Sequence, residues 1–284
     1  MIFNKLNDSL NCKTKLIKAK LIFTEGSVPR NKDTFMFISN SKIFGTIGGG
    51  QLEYLIINKA RNILKNKNKN YSTIVNIPLG PAIGQCCGGY AQIELKKFED
   101  GKEAYNSEKK FYTQNRNNLY IFGAGHTGQE VSKRSIDLDF NINLIDSRKE
   151  YLNTRKEKDI VNIYAKYPWM LIKNLPKKSY YVILTHSHDH DFKIINELLN
   201  TNTFNFIGLI GSRTKKKKFN NRFLHLGHDK FSISKIECPI GLSSITSKKP
   251  GEIAISIIGR LLEFRSSIIS TQIDNKDLLN SNVK

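Results

Sequence analysis

The stretch that most constrains the fold of this chain is "NLYIFGAGHTGQEVSKRSIDLDFNINLIDSR". Its apolar run Leu119 to Phe122 predicts a strand, which leads into a turn of the pattern G-x-G-x-x-G, Gly123 to Gly128. A helical segment follows, then a second apolar run, Ile142 to Ile145, which ends in Asp146. Strand, glycine turn, helix, strand and terminal acid in this order are typical of a dinucleotide-binding βαβ unit.

Each glycine of such a turn has its own physical role. Gly123 allows the tight turn, Gly125 lets the backbone approach a phosphate, and Gly128 permits close packing of the helix on the strand. Asp146 lies where a Rossmann fold hydrogen-bonds a ribose, so a nucleotide or NAD(P) is a candidate ligand. The turn predicts the fold more strongly than a bound nucleotide, because folds keep such turns for packing alone.

Further strand signals follow at Val161 to Tyr164, Tyr181 to Leu184 and Phe206 to Ile210, with helical segments between them. They predict a Rossmann-like, doubly wound parallel sheet. The segment "GEIAISIIGRLLEF" predicts a last helix, and its apolar face comprises Ile253, Ala254, Ile257, Ile258, Leu261 and Leu262.

The 284 residues are enough for two domains of ordinary size. A polar segment without a sustained apolar stripe separates a mixed α/β half from the half just described. The predicted fold is therefore α/β, with a smaller N-terminal α/β domain at 1–98, a linker at 99–117, a C-terminal Rossmann-like domain at 118–270 and a polar tail at 271–284.

A second glycine run lies in the N-terminal half. Gly48, Gly49 and Gly50 precede a predicted helix whose apolar stripe is Leu52, Leu55, Ile56, Ala60, Ile63 and Leu64. Backbone N–H groups at such a helix start can bind an anion. A plain tight turn is an equally good interpretation.

Polar residues crowd the end of the predicted strand Tyr181 to Leu184, in the sequence "THSHDHD". His186, His188 and Asp189 would lie at the carboxyl edge of the sheet, where ligands bind. The metallo-β-lactamase motif has its last Asp and His in the reverse order, so a zinc hydrolase is disfavoured. The plainest alternative is capping of a helix from about His190 to Leu199.

The sequence "GSR" follows the next predicted strand and should reach the same edge. Its arginine, Arg213, could clamp a phosphate bidentately or form a surface salt bridge.

Two adjacent cysteines, Cys86 and Cys87, lie among glycines 84, 88 and 89. The chain has four cysteines, too few for a secreted disulfide framework, so reduced thiols and a cytoplasmic protein are expected. The pair is then left for binding or redox work. Two small buried apolar side chains, or a strained vicinal disulfide, are the alternatives.

The formal net charge is +20, but lysine is spread through the whole chain and no aromatic-interleaved basic motif occurs. Nucleic acid is therefore not an expected partner. No apolar run is long enough to span a bilayer, so no membrane association is expected either.

The motifs "GSVPR", "GTIGGGQLE", "LGPAIGQCCGG", "IFGAGHTGQEV", "THSHDHD", "IGLIGSRTK", "CPIGL" and "KKPGEIAISI" occur in this order. Together they resemble the xanthine dehydrogenase accessory protein family, called XdhC or CoxI, from about Ile17 to Phe264. The resemblance implies a chaperone more than an enzyme. Such a protein binds the molybdenum cofactor (molybdopterin), protects it during sulfuration and delivers it to a molybdenum hydroxylase such as xanthine dehydrogenase.

The resemblance also implies a cysteine desulfurase as a further partner. A homodimer is expected because most soluble oligomers are homodimers.

The resemblance gives the thiols a role. A thiolate of Cys86 or Cys87 is a soft ligand that suits molybdenum, and Gly88 and Gly89 would let a bulky cofactor approach the backbone. The pterin phosphate would suit either Gly48 to Gly50 or the Gly123 turn. The main alternative function is an NAD(P)-dependent oxidoreductase that uses the Rossmann turn and Asp146.

Overall fold

The structure is a computed structural model that describes residues 14–66, 68, 71–80, 88–114, 116–153 and 157–281, with the backbone alone for 110–114 and 269–281. The chain divides into two compact units, 1–115 and 116–284. Among the described residues, no helix is both long enough and apolar enough to cross a lipid bilayer.

The first unit is built on an antiparallel sheet of order β3-β2-β1-β5-β4. Its strands are β1 (Leu16–Glu25), β2 (Phe35–Ile38), β3 (Ile43–Gly45), β4 (Ser72–Leu79) and β5 (Gly89–Phe98).

A helix covers each face of this sheet, because successive side chains of a strand point to opposite sides. Ile17 and Ala19 of β1 belong to the core that includes Leu52 and Ile56 of α1 (Gly50–Lys65). Leu16 belongs to a separate core with residues of α2 (Gly101–Gln114). On that second face the buried Lys18 ammonium pairs with Glu108 of α2 at 2.6 Å, which compensates its charge.

Two details differ from the sequence-based expectation. Most of the segment predicted as a linker, 99–117, is the helix α2, whose Ala104 and Tyr105 are buried. The short apolar face of α2 is enough to hold the helix in place, because the helix covers only one side of a small sheet. The predicted apolar stripe of α1 is buried except for Leu55, which is 37% exposed.

The second unit contains a six-stranded, fully parallel sheet of order β11-β10-β9-β6-β7-β8. Its strands are β6 (Asn117–Phe122), β7 (Phe140–Asp146), β8 (Ile160–Tyr164), β9 (Ser179–Ile183), β10 (Phe204–Leu209) and β11 (Ile236–Glu237). Numbered from β6, this is the order 3-2-1-4-5-6 of a doubly wound dinucleotide-binding fold read from its other edge. The predicted α/β fold class is confirmed, with strand ends shifted by one or two residues.

Helices lie on both faces of the parallel sheet, and each face has its own buried core. The helices are α3 (His126–Arg134), α4 (Lys149–Leu152), α5 (His188–Thr201), α6 (Arg213–His225), α7 (Lys230–Ser234), α8 (Pro250–Ser281) and a 3₁₀ helix at Pro168–Asn174. One core includes residues of α5, α6 and the 3₁₀ helix, and the other includes residues of α3 and α8.

The last helix is longer than expected. Its predicted apolar face is correct, since Ala254, Ile257, Ile258 and Leu261 are buried and Ile253 and Leu262 pack partly against the same core. However, α8 continues to Ser281 through most of the segment predicted as a polar tail, 271–284.

Candidate functional site

The carboxyl ends of β6 and β9 lie side by side in the middle of the parallel sheet. The amide of Leu184, just after β9, donates to the carbonyl of Phe122 at the end of β6 at 2.9 Å. β6 continues into its helix on one side and β9 into its helix on the other, so the strand order reverses here. A crevice at such a switch point is where ligands bind in this class of fold.

The three glycines of the turn after β6 do different work. A Cβ atom on Gly123, whose φ is +116°, would overlap the backbone carbonyl of Leu184. A Cβ atom on Gly128 would overlap the carbonyl oxygen of Gly123. A Cβ atom on Gly125 would meet no atom of the described residues within 4 Å. Gly123 and Gly128 therefore serve packing, whereas the space beside Gly125 is open to a ligand.

The start of α3 adds hydrogen-bond donors to that open space. In the region that the structure describes, the N–H groups of Gly125, His126 and Thr127 donate to no other group. The first N–H groups of a helix carry partial positive charge and favour an anion. The arrangement therefore suits a phosphate or carboxylate at Gly125.

Asp146, at the end of β7, is almost fully buried and has its oxygens occupied. Its Oδ2 accepts from the N–H of Ala124 at 2.7 Å and from Arg148 Nη2 at 3.0 Å. Its Oδ1 accepts from the Arg148 N–H at 2.9 Å and from Arg148 Nε at 3.0 Å. Burial by itself raises the pKa of this carboxyl, but the hydrogen bonds from Arg148 and Ala124 outweigh burial and lower the pKa.

A ribose hydroxyl would thus have to displace a donor that Asp146 already holds, because a carboxylate offers about four acceptor positions. The acid ties the end of β7 to the glycine turn instead. The predicted ribose contact of Asp146 has no support in this geometry.

Arg148 is a residue of this edge that the motif did not single out. Its guanidinium is bound bidentately by Asp146 and lies over the ring of Tyr151, 3.8 Å from the centroid. Its side chain remains 26% exposed. These contacts hold a permanent positive charge in one position beside the glycine turn. The sequence "DSR" places this arginine two residues beyond the end of the strand, so it could have been singled out from the sequence.

The loop after β9 is held by a buried ion pair. Asp191, which is fully buried, accepts from the Thr185 N–H at 3.1 Å and the Thr185 hydroxyl at 2.7 Å. Lys215 of α6 donates to Asp191 at 2.6 Å and to the carbonyl of Ile210 at 3.0 Å. The pair joins the loop after β9 to the loop after β10. Neither residue was predicted as part of the site.

The predicted site residues of "THSHDHD" are on the surface of this loop. His186, His188 and Asp189 are all exposed, and Asp189 pairs with Lys193 at 2.8 Å. The hydrogen bond from Lys193 lowers the pKa of Asp189. The capping alternative is also realised, because the side chain of Ser187 accepts from the His190 N–H at the start of α5.

The structure brings His186 together with two residues that were not predicted. Its ring lies 5.4 Å from that of His190, which in turn lies 5.2 Å from the indole of Trp169. Burial, and then the neighbouring His186, lower the pKa of His190. The Nδ1 atom of His190 is buried and has no hydrogen-bond partner among the described residues.

In the first unit, the N–H groups at the glycine run already bind a carboxylate of the same unit. The carboxylate of Glu53 accepts from the N–H groups of Ile47 at 2.9 Å, Gly48 at 3.2 Å and Gly49 at 2.8 Å, and from the hydroxyl of Thr46. Burial by itself raises the pKa of Glu53, but these hydrogen bonds outweigh burial and lower the pKa. The predicted anion site at Gly48 to Gly50 is therefore filled by an internal anion, which makes it the weaker candidate for a pterin phosphate.

The glycines that follow the two cysteines also differ from one another. A Cβ atom on Gly88 would meet none of the described residues within 4 Å, whereas one on Gly89 would overlap the carbonyl oxygen of Ser27. Gly89 therefore serves the pairing of β5, and only Gly88 fits the close approach predicted for both. Cys86 and Cys87 lie outside the described residues, so their predicted role as molybdenum ligands stays a prediction.

Arg213 is exposed at the first turn of α6, after β10 as predicted. It lines a groove between α6 and α7. Over the described ranges, no three His, Cys, Asp or Glu side chains are grouped closely enough to hold a metal ion.

Comparison with known families identifies this architecture. The model of the XdhC Rossmann domain matches residues 119–261, and the model of the XdhC and CoxI family matches residues 14–74. The chain belongs to the XdhC family. The first match covers the parallel sheet from β6 to β11 and the first part of α8, so the glycine turn and the loops at the switch point lie within it. The resemblance read from the ordered motifs is confirmed.

One curated protein and one solved structure are similar to this XdhC-family chain. The uncharacterized protein YqeB of Escherichia coli K12 is 23% identical over 251 residues, which cover 88% of this chain. The chain spans only 43% of YqeB. A crystal structure from Bacillus halodurans, described as a xanthine dehydrogenase, superposes with a TM-score of 0.73 at 19% identity. That match covers 94% of this chain and 95% of the other, and it confirms the fold.

Proposed function

We propose that this XdhC-family protein binds the molybdenum cofactor and delivers it to a molybdenum hydroxylase such as a xanthine dehydrogenase. Membership of the family supports the choice of cargo, and so does the description of the Bacillus halodurans relative as a xanthine dehydrogenase. A cysteine desulfurase is the expected partner for sulfuration of the cargo. The proposal describes a carrier, whose affinity for the cargo must allow its release.

The observation that carries the proposal is the open space at Gly125. The cofactor ends in a phosphate, and this turn combines free N–H groups, space for a ligand and the nearby cation of Arg148. The competing turn at Gly48 to Gly50 already has its N–H groups bonded to Glu53. The geometry therefore favours the Gly123–Gly128 turn for the phosphate end of the cargo.

The molybdenum end of the cargo needs a softer environment. Thiolates bind soft metal centres, and Cys86 or Cys87 would supply one directly before the open position at Gly88.

The alternative, an NAD(P)-dependent oxidoreductase, is less well supported. That function needs an acceptor for the ribose hydroxyls, and the oxygens of Asp146 are already engaged by Arg148 and Ala124. The two functions predict different ligands for the same turn, so a single set of variants can separate them.

The decisive experiment adds a side chain at Gly125. Gly125→Val should weaken binding of the cofactor by at least about tenfold and so lower the molybdenum and pterin content of protein from a cofactor-producing host. Stability should change by no more than about 1 kcal/mol, since this position begins a helix and has free space. Molybdenum analysis, fluorescence of the released pterin and a melting curve give the three readouts.

Gly128→Ala is the matched control. Its methyl group would overlap the Gly123 carbonyl, so it should lower stability by about 1–3 kcal/mol. Full cofactor retention by Gly125→Val would remove this turn from the site. Saturable NAD(P) binding that Gly125→Val abolishes, in protein that takes up no molybdopterin, would instead establish the alternative.

A further inference from the structure

A groove of about 430 Å³ lies between α6 and α7, with Arg213 in its lining. One wall is a single face of α6, on which the lining residues recur at helical spacing from Arg213 to Leu224. Lys230, Ile233 and Ser234 of α7 form the other wall. At a rise of about 1.5 Å per residue, the α6 wall is about 16 Å long.

The groove is positively charged along its length. Arg213, Lys216, Lys217 and Lys230 line it, and no Asp or Glu among the described residues does. α6 itself contains no acidic residue. Across the described part of the chain, none of these four cations forms an ion pair.

Other cations of the same helix behave differently. Lys215 is bonded to Asp191, and Arg222 lies 3.7 Å from the centre of the Phe192 ring. The helix therefore uses these two cations internally and presents Arg213, Lys216 and Lys217 to the groove, whereas Lys218 is exposed outside it. A general excess of lysine does not explain this division.

The groove also has apolar and amide surface. Leu224 lies at its end and is 42% exposed, and Ile233 forms part of the opposite wall. Asn220 and Asn221 supply side-chain amides that can bond to a peptide backbone. None of the described residues that line the groove is aromatic, so they offer no platform on which a nucleic-acid base could stack.

We propose that this groove docks a short, extended, acidic segment of a protein partner. At about 3.3 Å per residue, about five residues would span its length. The carboxylates of the segment would face the four cations, its backbone would meet the two amides, and one apolar side chain would contact Leu224. Complementary charge would steer the encounter, and the apolar contact would fix the register.

The proposal is independent of the molybdenum cofactor, and it can be tested with a defined probe. The probe is a fluorescein-labelled peptide of the sequence Glu-Asp-Glu-Leu-Glu-Asp, followed by fluorescence anisotropy. Lys216→Glu/Lys217→Glu should weaken its binding at least about tenfold, because two attractions become repulsions. Lys173→Glu/Lys177→Glu, which reverses two exposed charges outside the groove, should leave binding within about twofold of the parent.

A second pair of variants, one in the groove and one outside it, tests the apolar contact. Leu224→Ser should weaken binding of the peptide by at least about threefold, the size expected for partial loss of a leucine contact. Leu226→Ser should not change it, because Leu226 is 59% exposed but does not line the groove. Melting curves confirm that each variant is folded.

Three outcomes would overturn the proposal. Equal losses in the groove and control variants would show attraction by net charge alone. Tighter binding of a single-stranded DNA oligomer, or of phosphatidylserine vesicles, with the same dependence on Lys216 and Lys217, would assign the surface to another class of partner. Peptide binding that is insensitive both to Lys216→Glu/Lys217→Glu and to Leu224→Ser would place the contact elsewhere.

Discussion

Two Asp–Lys pairs at the same end of α5 differ mainly in burial, which makes them a direct test of what holds the loop after β9. In the Asp191–Lys215 pair the side chains are 0% and 11% exposed and the ion pair is 2.6 Å long. In the Asp189–Lys193 pair they are 59% and 46% exposed and the distance is 2.8 Å. We compare Lys215→Met with Lys193→Met, a change that keeps most of the stem and removes the charge.

The expected losses in the free energy of unfolding differ about tenfold between the two variants. Removing one partner of a buried pair leaves an uncompensated charge and costs about 3–5 kcal/mol. Removing one partner of an exposed i,i+4 pair costs about 0.3–0.5 kcal/mol. Lys215→Met leaves Asp191 with only the donors of Thr185, so its cost should lie in the first range. Lys193→Met should lie in the second range.

The assay is urea unfolding followed by tryptophan fluorescence. The chain has one tryptophan, Trp169, which lies in the second unit against the ring of His190, so its emission reports on this unit. The shift of the midpoint multiplied by the slope gives the change in the free energy of unfolding. Comparable losses for the two variants would refute the argument from burial.

A third variant tests the cause of the loss. Asp191→Asn added to Lys215→Met removes the buried charge that the single change leaves behind. The double variant should therefore be more stable than Lys215→Met alone. A double variant that is less stable by the full sum of the two single effects would show that lost packing, and not the unpaired charge, causes the loss.

Two further predictions concern titratable groups. The pKa of Glu53 is lowered in the folded state, so its stabilisation should be complete above about pH 4.5 and lost as the pH falls further, and Glu53→Gln should remove this dependence. Hydrogen exchange at the start of α1 measures it, and an unchanged pH profile in the variant would contradict it. The pKa of His190 is also lowered, so the folded state favours neutral His190. Its contribution to the free energy of unfolding should be complete above about pH 6.5 and lost as the pH falls below it. Trp169 fluorescence should change over the same range, and a change that persists in His190→Asn would point to another group.

Much of the fold was predictable because periodicity and turn chemistry act locally. The strands of the parallel sheet, the glycine turn and the inward face of α8 all follow from apolar runs and helical spacing. Leu55 shows where the pattern fails, since a wide apolar stripe does not say which of its edges the sheet will cover. The helix α2 was missed for a related reason. Its buried contacts come mainly from Ala104 and Tyr105, too few to stand out from a polar background.

The candidate site was less predictable, because hydrogen-bond partners depend on side-chain reach. Asp191 and Lys215 are 24 positions apart, and nothing in their local sequence links them. Glu53 is only a few residues from the glycines that it bonds, so its spacing could have suggested a capping role. The distinct roles of Gly125 and Gly128 depend on whether a Cβ atom would meet another part of the backbone, which the motif does not record.

In each unit, a carboxylate of that unit accepts hydrogen bonds from a glycine-containing turn that leads into a helix. The two carboxylates differ in how many N–H groups of the turn they bind. Glu53 reaches along its turn and takes the N–H groups from Ile47 to Gly49, which leaves little for an external anion. Asp146 approaches from the neighbouring strand and takes only the N–H of Ala124, so the donors from Gly125 onward remain available. The direction from which the carboxylate arrives therefore decides which of the two glycine turns keeps unbonded N–H donors, and within the described residues that is the turn at the switch point of the parallel sheet.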